Sequence, residues 1–526
     1  MATLLERLSP FTNEAIRSFA DAGDVASIQA AIARVRSAGP RHYPVVVGDR
    51  ALPSEATISS RNPACPSELV GSVGSASLAH ANDAIDEAGR AFETWKRVPP
   101  QERAGILIRA ADAIRRRRDD FNALLVLEVG KTWVEADADT AEAIDFLEFY
   151  AREAIRYAEP PPLTPVPGEE NRLSYIPLGV GIVIPPWNFA FAIMAGMTAA
   201  AFVAGNTVVL KPSSDSPVIA GAFVELLGEM GLPPGVVNFV PGAGRTIGDA
   251  LVTHRKTRFI AFTGSKEVGL HINELAAKTQ PGQIWIKRVV AEMGGKDSIV
   301  VAADADLDAA ADGIVASAFG FAGQKCSACS RAIVETSVYE ALERKIVERV
   351  DKLVTGDPSK EGTYVGPVVN RSARETILSF IERGIAEGGR VVAGGKALEG
   401  DGYFVEPTVV ADVAPLATIA QQEIFGPVLA LIRADDYEHA LAIANNTEFG
   451  LTGAVYSRDD AKLERARDEF HVGNLYFNRK CTGALVGAHP FGGFNMSGTD
   501  SKAGGTDYLS LFTQAKVVSK KIAARG

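Results

Sequence analysis

The hydrophobic positions of this chain follow two different spacings. Up to about residue 160 they recur every three or four residues, the spacing of one helix face, which predicts helices over 28–35, 78–95, 103–118 and 119–154. Beyond residue 178, short apolar runs alternate with segments of helical spacing. The runs predict strands over 179–184, 207–211, 236–240 and 259–263, and the segments between predict helices over 189–204, 216–230, 245–254 and 265–278. Such alternation is typical of βαβ units and predicts a largely parallel sheet.

A proline-rich segment, residues 160–168, separates the two patterns. It has too many prolines for a helix and predicts an extended connector or an edge hairpin. A second α/β section begins near residue 298 and runs to about residue 480, after which the tail is expected to return to the first section. The fold class is therefore predicted as α/β. The predicted division is a first domain of 1–159 and 180–290, a second of 291–490, and a small element of 160–179 with 505–526.

Composition narrows the class of protein. A chain of 526 residues with 47% hydrophobic residues exceeds one ordinary domain and can bury sizeable cores. Its formal charge of −10 is spread along the sequence, so no nucleic-acid-binding face is expected. No run of 18 apolar residues predicts a membrane span, and the first residues lack the apolar core of a secretory leader. Four cysteines are too few for a disulfide framework and favour reduced thiols in the cytoplasm.

The chemistry is expected in a loop around Cys326, within Phe321 to Arg331. A glycine just before this cysteine permits a tight turn and close approach of a reactant, which suits a nucleophile; most free cysteines, however, are simply buried apolar residues. Asn188 follows a predicted buried strand, where active groups lie in open α/β sheets. Glu292 precedes two glycines. Taken alone, Asn188 is better explained as a structural turn residue and Glu292 as a surface acid.

Together with the segment Gln422 to Pro427, these motifs resemble the NAD(P)-dependent aldehyde dehydrogenase superfamily, in order and in spacing, from about residue 40 to the C-terminus. The resemblance implies a Rossmann-type NAD-binding domain for the first division, a catalytic α/β domain for the second, and a β oligomerisation flap for the small element. It also implies a mechanism. Cys326 attacks an aldehyde, Asn188 and the Cys326 N–H stabilise the oxyanion, and Glu292 activates water to hydrolyse a thioester.

The cofactor residues implied by the resemblance mostly follow strands of the first α/β section, and two lie in the Gln422-to-Pro427 segment of the second. They are Trp187, Lys211, Ser213, Ser214, Gly244, Thr263, Gly264, Ser265, Glu423 and Phe425. The glycine-rich turn that contains Gly244 departs by one residue from the usual dinucleotide fingerprint, and an ordinary β-to-α turn explains it as well. Many NAD-preferring members carry a glutamate where this chain has Ser214, so NAD is expected and NADP remains an alternative. No metal site is predicted.

Within the superfamily, residues 470–493, residues 324–331 and the helix stretch Glu142 to Phe146 resemble the L-glutamate γ-semialdehyde dehydrogenases, also called 1-pyrroline-5-carboxylate dehydrogenases. That subfamily holds the substrate α-carboxylate on a hydroxyl beside the nucleophile and on the amides of a Gly-Ala turn. The substrate-binding residues so implied are Ser327, Gly483, Ala484, Phe189, Phe491 and Glu142. The turn alone would be read as a solvent loop, the phenylalanines as core, and Glu142 as a solvated helix residue.

The expected reaction is NAD-dependent oxidation of L-glutamate γ-semialdehyde to L-glutamate, a step of proline catabolism. One alternative is a dehydrogenase of another carboxylated semialdehyde. A second is a cofactor-free cysteine hydrolase or acyltransferase, which would need a histidine base near Cys326, yet none of the seven histidines lies in a comparable motif. The expected partners are a small-molecule substrate, further copies of the chain and a proline dehydrogenase, with no nucleic acid or membrane.

Overall fold

The computed structural model describes residues 8–522; residues 1–7 of the first predicted domain and 523–526 of the predicted flap lie outside the described residues. A first seven-stranded sheet has five parallel strands followed by an antiparallel hairpin. In spatial order its strands are Arg288–Glu292, Thr257–Thr263, Val180–Ile184, Thr207–Leu210, Val237–Phe239, Val45–Val47 and Arg50–Leu52.

Helices surround this sheet because each has one apolar face that must be covered. They are Ala22–Ala38, Leu78–Trp95, Pro100–Arg116, Arg118–Val129, Trp133–Tyr157, Ala192–Val203, Pro217–Glu229, Asp249–Thr253 and Lys266–Ala277, with a π-helical turn at Gly244–Gly248. Most predicted elements are present. The prediction of a single helix over 119–154 was wrong. Gly130 adopts a left-handed conformation (φ 72°) and ends the helix Arg118–Val129, and a second helix, Trp133–Tyr157, follows.

A second seven-stranded sheet carries the loop around Cys326. Its strands are parallel except for one edge pair, and in spatial order they are Arg390–Ala393, Thr408–Ala411, Val428–Ala434, Cys329–Glu335, Asp297–Val301, Thr452–Tyr456 and Asn474–Phe477. Its helices are Leu307–Phe319, Tyr339–Val350, Arg371–Ala386, Thr418–Gln421, Tyr437–Asn445 and Asp460–Glu469, with 3₁₀ turns at Gly320–Gly323 and Thr336–Val338. Each sheet has its own apolar core, and this confirms the predicted α/β class.

Three smaller sheets complete the chain. One joins Arg41–Tyr43, Leu69–Gly74 and Thr57–Arg61, and another joins Phe449–Gly450 and Phe494–Asn495. The third is a two-stranded ribbon of Glu169–Pro177 and Thr513–Lys521, which follows a 3₁₀ turn at Tyr508–Phe512. Among the helices of residues 8–522, none combines the length and apolar character needed to cross a membrane.

Candidate active site

The loop before Cys326 has an unusual backbone. After the helix Leu307–Phe319, Phe321 and Ala322 both adopt positive φ values of 53°, and Gly323 follows with φ 68°. Non-glycine residues in this region cost on the order of 1–3 kcal/mol each, so the surroundings must enforce the turn. The buried Gln324 side chain does this, since it donates to Phe321 O and Pro367 O and accepts from Val369 N–H at 2.8 Å.

Two glycines let the other motifs approach this loop. A Cβ on Gly323 would lie 2.2 Å from Gly426 O, and one on Gly295 would lie 2.4 Å from Cys326 O. Both distances are far below a van der Waals contact, so only glycine fits. The loop therefore packs directly against the Gln422-to-Pro427 segment on one side and the Glu292-Met-Gly-Gly turn on the other.

Cys326 lies half-buried in a cavity of about 110 Å³ between the two sheets. The sequence-predicted residues that line the cavity are Cys326, Glu292, Ser327, Gly483, Ala484, Phe189, Phe491, Glu142 and Thr263. The structure therefore brings all six predicted substrate residues together with the predicted nucleophile and base. Among residues 8–522 no histidine lines the cavity, so the histidine base that the cysteine hydrolase alternative needs is not found there.

Glu292 ends the strand Arg288–Glu292, and its carboxylate accepts hydrogen bonds from Ser501 Oγ at 2.5 Å and from Gly493 N–H at 3.2 Å. Burial raises the pKa of Glu292 to about 7. A carboxyl group whose pKa lies near neutral can both accept and release a proton at physiological pH, which suits a general base. Ser501 lies 209 residues along the chain, and sequence reasoning missed it.

The thiol of Cys326 is surrounded by acids. Burial, together with the nearby carboxyl groups of Asp297, Glu423 and Glu292, raises the pKa of Cys326 well above its usual value. Its proton is therefore held firmly until a base or a positive charge favours the thiolate.

Asn188 stands between the first sheet and the Cys326 loop. Its buried amide donates one hydrogen bond, from Nδ2 to Gln324 O at 3.1 Å, two residues before the cysteine. A side-chain amide has two N–H groups, so one remains for a developing oxyanion. Asn188 itself does not line the cavity, but its anchor holds it beside the loop.

The Gly483-Ala484 turn brings free hydrogen-bond donors to the cavity wall. Gly483 has φ 80°, and neither its N–H nor that of Ala484 donates to any group in residues 8–522. Arg479 donates instead to the carbonyls of Thr482 and Gly483, at 3.0 and 3.2 Å. With the carbonyls occupied and the amides free, the turn is suited to an anionic head group. The Ser327 hydroxyl makes no hydrogen bond within the described chain and is equally available.

Glu142 is half-buried at the cavity wall and is not the solvated helix residue of the alternative interpretation. Burial raises its pKa to about 8, and neighbouring Asp139 adds to the shift.

The cavity also contains aromatic residues that sequence reasoning missed. Phe146 and Tyr150 stack with ring centroids 5.5 Å apart, and Tyr150 stacks on Tyr508 at 5.4 Å. Phe146 and Tyr150 share one helix face at a spacing of four residues, a signal that helical periodicity supplies. Tyr508 comes from the C-terminal tail, and no local pattern would place it here.

Lys131 is a further missed residue. Its ammonium group is buried, lies 4.5 Å from the ring centroids of both Phe189 and Phe321, and pairs with Asp139 at 3.2 Å. Asp139 also accepts from Ala192 N–H at the start of the next helix. The buried pair thus connects a cavity residue, Phe189, with the left-handed turn before Cys326.

The predicted cofactor residues lie mainly along one edge of the first sheet. Lys211, Ser213 and Ser214 follow the strand Thr207–Leu210, and Gly244 follows Val237–Phe239 at the start of the π-helical turn. Because these strands are parallel, their carboxyl ends share the edge where nucleotides bind in open α/β sheets.

The remaining cofactor residues lie closer to the cavity. Thr263 lines it, Gly264 N–H donates to Glu292 O at 3.1 Å, and Ser265 caps the helix Lys266–Ala277. Glu423 accepts from Gly295 N–H at 3.0 Å, and burial raises its pKa to about 7. Phe425 meets Trp187 edge to face, with ring centroids 5.5 Å apart.

The donor set along this edge fits a dinucleotide. Lys211 is buried, which lowers its pKa to about 8, and within residues 8–522 its ammonium donates only to Pro212 O, at 3.3 Å. It therefore keeps donors for ribose hydroxyls. The amides at the start of Lys266–Ala277 are suited to phosphate oxygens, and exposed Ser214 brings no carboxylate to the ribose site.

Comparison with known proteins agrees with this geometry. The model of the aldehyde dehydrogenase family matches residues 51–518. A 1-pyrroline-5-carboxylate dehydrogenase of Geobacillus kaustophilus is 56% identical over 513 residues, which are 98% of this chain and 99% of the relative. The solved structure of 1-pyrroline-5-carboxylate dehydrogenase from Thermus with bound NAD is 50% identical, with a TM-score of 0.96 over 98% of this chain and 99% of that one.

A third relative is larger. The crystal structure of proline utilization A from Bdellovibrio bacteriovorus is 44% identical, with a TM-score of 0.96, over 98% of this chain and 54% of that one. These matches favour the dehydrogenase prediction over the hydrolase alternative. The chain belongs to the aldehyde dehydrogenase family.

Proposed function

We propose that this chain oxidises L-glutamate γ-semialdehyde to L-glutamate with NAD as the hydride acceptor, a step of proline catabolism. One observation carries the proposal: a single cavity is lined by a thiol, a carboxyl base, a free hydroxyl and a turn with two free backbone amides. This arrangement is suited to an aldehyde whose distant end is a carboxylate. The names of the relatives support the same substrate, and the Thermus relative contains NAD.

The residues support the following course. The Cys326 thiol passes its proton to solvent, and its sulfur bonds to the aldehyde carbon as the C=O π electrons move to the oxygen, while the Asn188 amide and the Cys326 N–H stabilise the oxygen that becomes negative. NAD bound along the first sheet would supply the hydride acceptor, and loss of the hydride from this carbon leaves a thioester on Cys326. Glu292 then takes a proton from water, the water oxygen attacks the thioester, and L-glutamate leaves as the thiol is regenerated.

The rest of the substrate is assigned to the other residues that line the cavity. The α-carboxylate accepts from Ser327 and from the amides of Gly483 and Ala484, and Glu142 faces the ammonium group. Phe189 and Phe491 pack on the aliphatic stem. On the cofactor side, Lys211 and Glu423 would hold the two riboses, and Phe425 and Trp187 would border the nicotinamide. The turns at Gly244 and at Thr263 to Ser265 would receive the pyrophosphate, and Ser213 and Ser214 would lie beside the adenosine.

The predicted domain division and partners belong to the same proposal. The first sheet section binds the cofactor, residues 291–490 supply the nucleophile, and the ribbon of Glu169–Pro177 and Thr513–Lys521 pairs with further copies of the chain. Val517 and Val518 on this ribbon are more than half exposed, which favours a subunit contact. A proline dehydrogenase supplies the substrate, as the match to half of proline utilization A suggests. The four unpaired cysteines favour the cytoplasm.

Steady-state turnover against a panel of aldehydes, with NAD and with NADP, tests the proposal. We expect kcat/KM for L-glutamate γ-semialdehyde to exceed that for propanal by roughly a hundredfold or more, because propanal lacks two to three hydrogen bonds to a charged group, each worth about 1.5 kcal/mol or more. Succinate semialdehyde should fall between the two, since it lacks the ammonium group. If it is the best substrate, another carboxylated semialdehyde is the natural one; if propanal equals the rest, the carboxylate assignment fails.

A further inference from the structure

An N-terminal arm, residues 8–20, lies along the helix Trp133–Tyr157 without forming helix or strand itself. Two buried carboxylates of that helix hold its backbone: Glu14 N–H donates to Asp145 Oδ1 and Arg17 N–H donates to Asp137 Oδ2, both at 2.7 Å. Burying a carboxylate costs free energy unless it is hydrogen-bonded, and here two buried carboxylates accept hydrogen bonds from the backbone of the arm. The position of this arm is therefore tightly specified.

The arm also contacts the carboxylate loop, which we define as residues 483–487. The Asn13 amide nitrogen donates to Asp145 Oδ2 and to Val486 O, both at 2.9 Å, and so joins the helix to the loop. The next loop residue, Gly487, has φ 78°, and a Cβ there would lie 3.2 Å from the Phe11 ring. The arm thus contacts the loop at two consecutive residues.

The carboxylate loop has no regular structure, and its Gly483 and Ala484 amides make no hydrogen bond within residues 8–522. The Leu485 and Gly487 amides donate to His489 Nδ1 and Gly504 O, so the part of the loop that faces the cavity needs support from its carbonyls. At the N-terminal end of the loop, Arg479 donates hydrogen bonds to the carbonyls of Thr482 and Gly483. Near the C-terminal end of the loop, Asn13 donates a hydrogen bond to the carbonyl of Val486. Donors aimed at an anion are effective only when their positions are fixed before binding.

We propose that the N-terminal arm positions the carboxylate loop through Asn13, which makes Asn13 a positioning residue for recognition of the substrate carboxylate. The proposal rests on the proposed function, since it concerns the same loop. Asn13 does not line the cavity, and its effect is exerted through Val486 and the neighbouring amides.

The test is Asn13→Leu, which keeps the size of the side chain and removes both donated hydrogen bonds. We expect KM for L-glutamate γ-semialdehyde to rise about fivefold, the factor associated with one ordinary hydrogen bond. The value of kcat, KM for NAD and KM for propanal should stay within twofold. The matched control is Glu14→Gln, which removes ion pairs with Arg115 and Arg118 from the same arm but leaves Asn13 in place. It should leave every KM within twofold.

Amide hydrogen exchange over residues 483–487 supplies a readout that does not depend on the substrate. Exchange there should be faster in Asn13→Leu than in the wild type and in Glu14→Gln, whereas unchanged exchange overturns the proposal. An unchanged KM for the semialdehyde in folded Asn13→Leu also overturns it. If Asn13→Leu does not fold, Asn13→Ala takes its place under the same criteria. If the wild type uses propanal and the semialdehyde equally well, the proposed function is refuted. The hydrogen-exchange result then decides separately whether the N-terminal arm positions the loop.

Discussion

Replacing Ser327 with alanine isolates the recognition of the substrate carboxylate from the chemistry at Cys326. The Ser327 side chain is buried at the cavity wall, and its hydroxyl makes no hydrogen bond with any described residue. Its removal therefore leaves the hydrogen bonds of the protein intact. The backbone carbonyl of Ser327, which accepts from Thr452 Oγ1 and Cys481 Sγ, is retained in the variant.

The expected magnitude follows from the charge of the ligand. A hydrogen bond to a charged group contributes about 1.5–3 kcal/mol, which corresponds to a factor of roughly 10 to 150 in binding. The two amides of the carboxylate loop remain in the variant, so we expect the lower part of this interval. KM for L-glutamate γ-semialdehyde should rise roughly tenfold or more in Ser327→Ala, with kcat nearly unchanged.

The assay is steady-state formation of reduced nicotinamide with the semialdehyde and, separately, with propanal. Propanal has no carboxylate, and its kinetic constants should stay the same in the variant. The product L-glutamate should compete with the semialdehyde and not with NAD, and its inhibition constant should rise in parallel. Equal weakening of both aldehydes in Ser327→Ala would show that the hydroxyl acts on the nucleophile, and the carboxylate assignment would be refuted.

Four further outcomes test the catalytic and cofactor assignments. Glu292→Gln should release one burst of reduced nicotinamide and then stall, and a normal steady rate would remove its role in hydrolysis. In the wild type, kcat should fall roughly tenfold per pH unit below about 7, because Glu292 must be ionised to act as the base and its pKa is about 7. A kcat that is constant from pH 5 to 8 would contradict the assignment of Glu292 as the base. Cys326→Ala should bind NAD without turnover in a titration, whereas Cys329→Ala should retain activity. Ser214→Glu should lower activity with NADP more than with NAD, and equal losses would place position 214 away from the ribose.

The parts of this molecule that the sequence predicted are those encoded by neighbouring residues. Apolar runs of four or five residues identified the strands of the first sheet, and parallel connections then required their carboxyl ends to meet at one edge. Asn188 and Lys211 lie there for that reason, because each follows such a run. Gly130 shows the limit of the method: helical spacing continues on both sides of it, and only its left-handed conformation reveals the break.

Contacts between distant segments were beyond such reasoning. Ser501 on Glu292 and Asn13 on Val486 join residues 209 and 473 positions apart, and each is a common polar residue with no local pattern. Their partners are defined only when both sheets and the N-terminal arm have packed together. A sequence without its fold therefore identifies the reacting groups more readily than the groups that hold them.

Glu142 illustrates why burial decides between two interpretations of one residue. The helix Trp133–Tyr157 carries acids on several faces, and helical spacing alone assigns Glu142 equally to solvent or to an interface. In the structure its face meets the cavity, and the loss of water raises the pKa of Glu142 to about 8. A carboxyl group in that condition is neutral in an empty cavity at pH 7, and a positively charged ligand group favours its ionised form. If Glu142 faces the substrate ammonium group as proposed, that group lowers the pKa of Glu142, and the carboxyl is ionised when the substrate is bound.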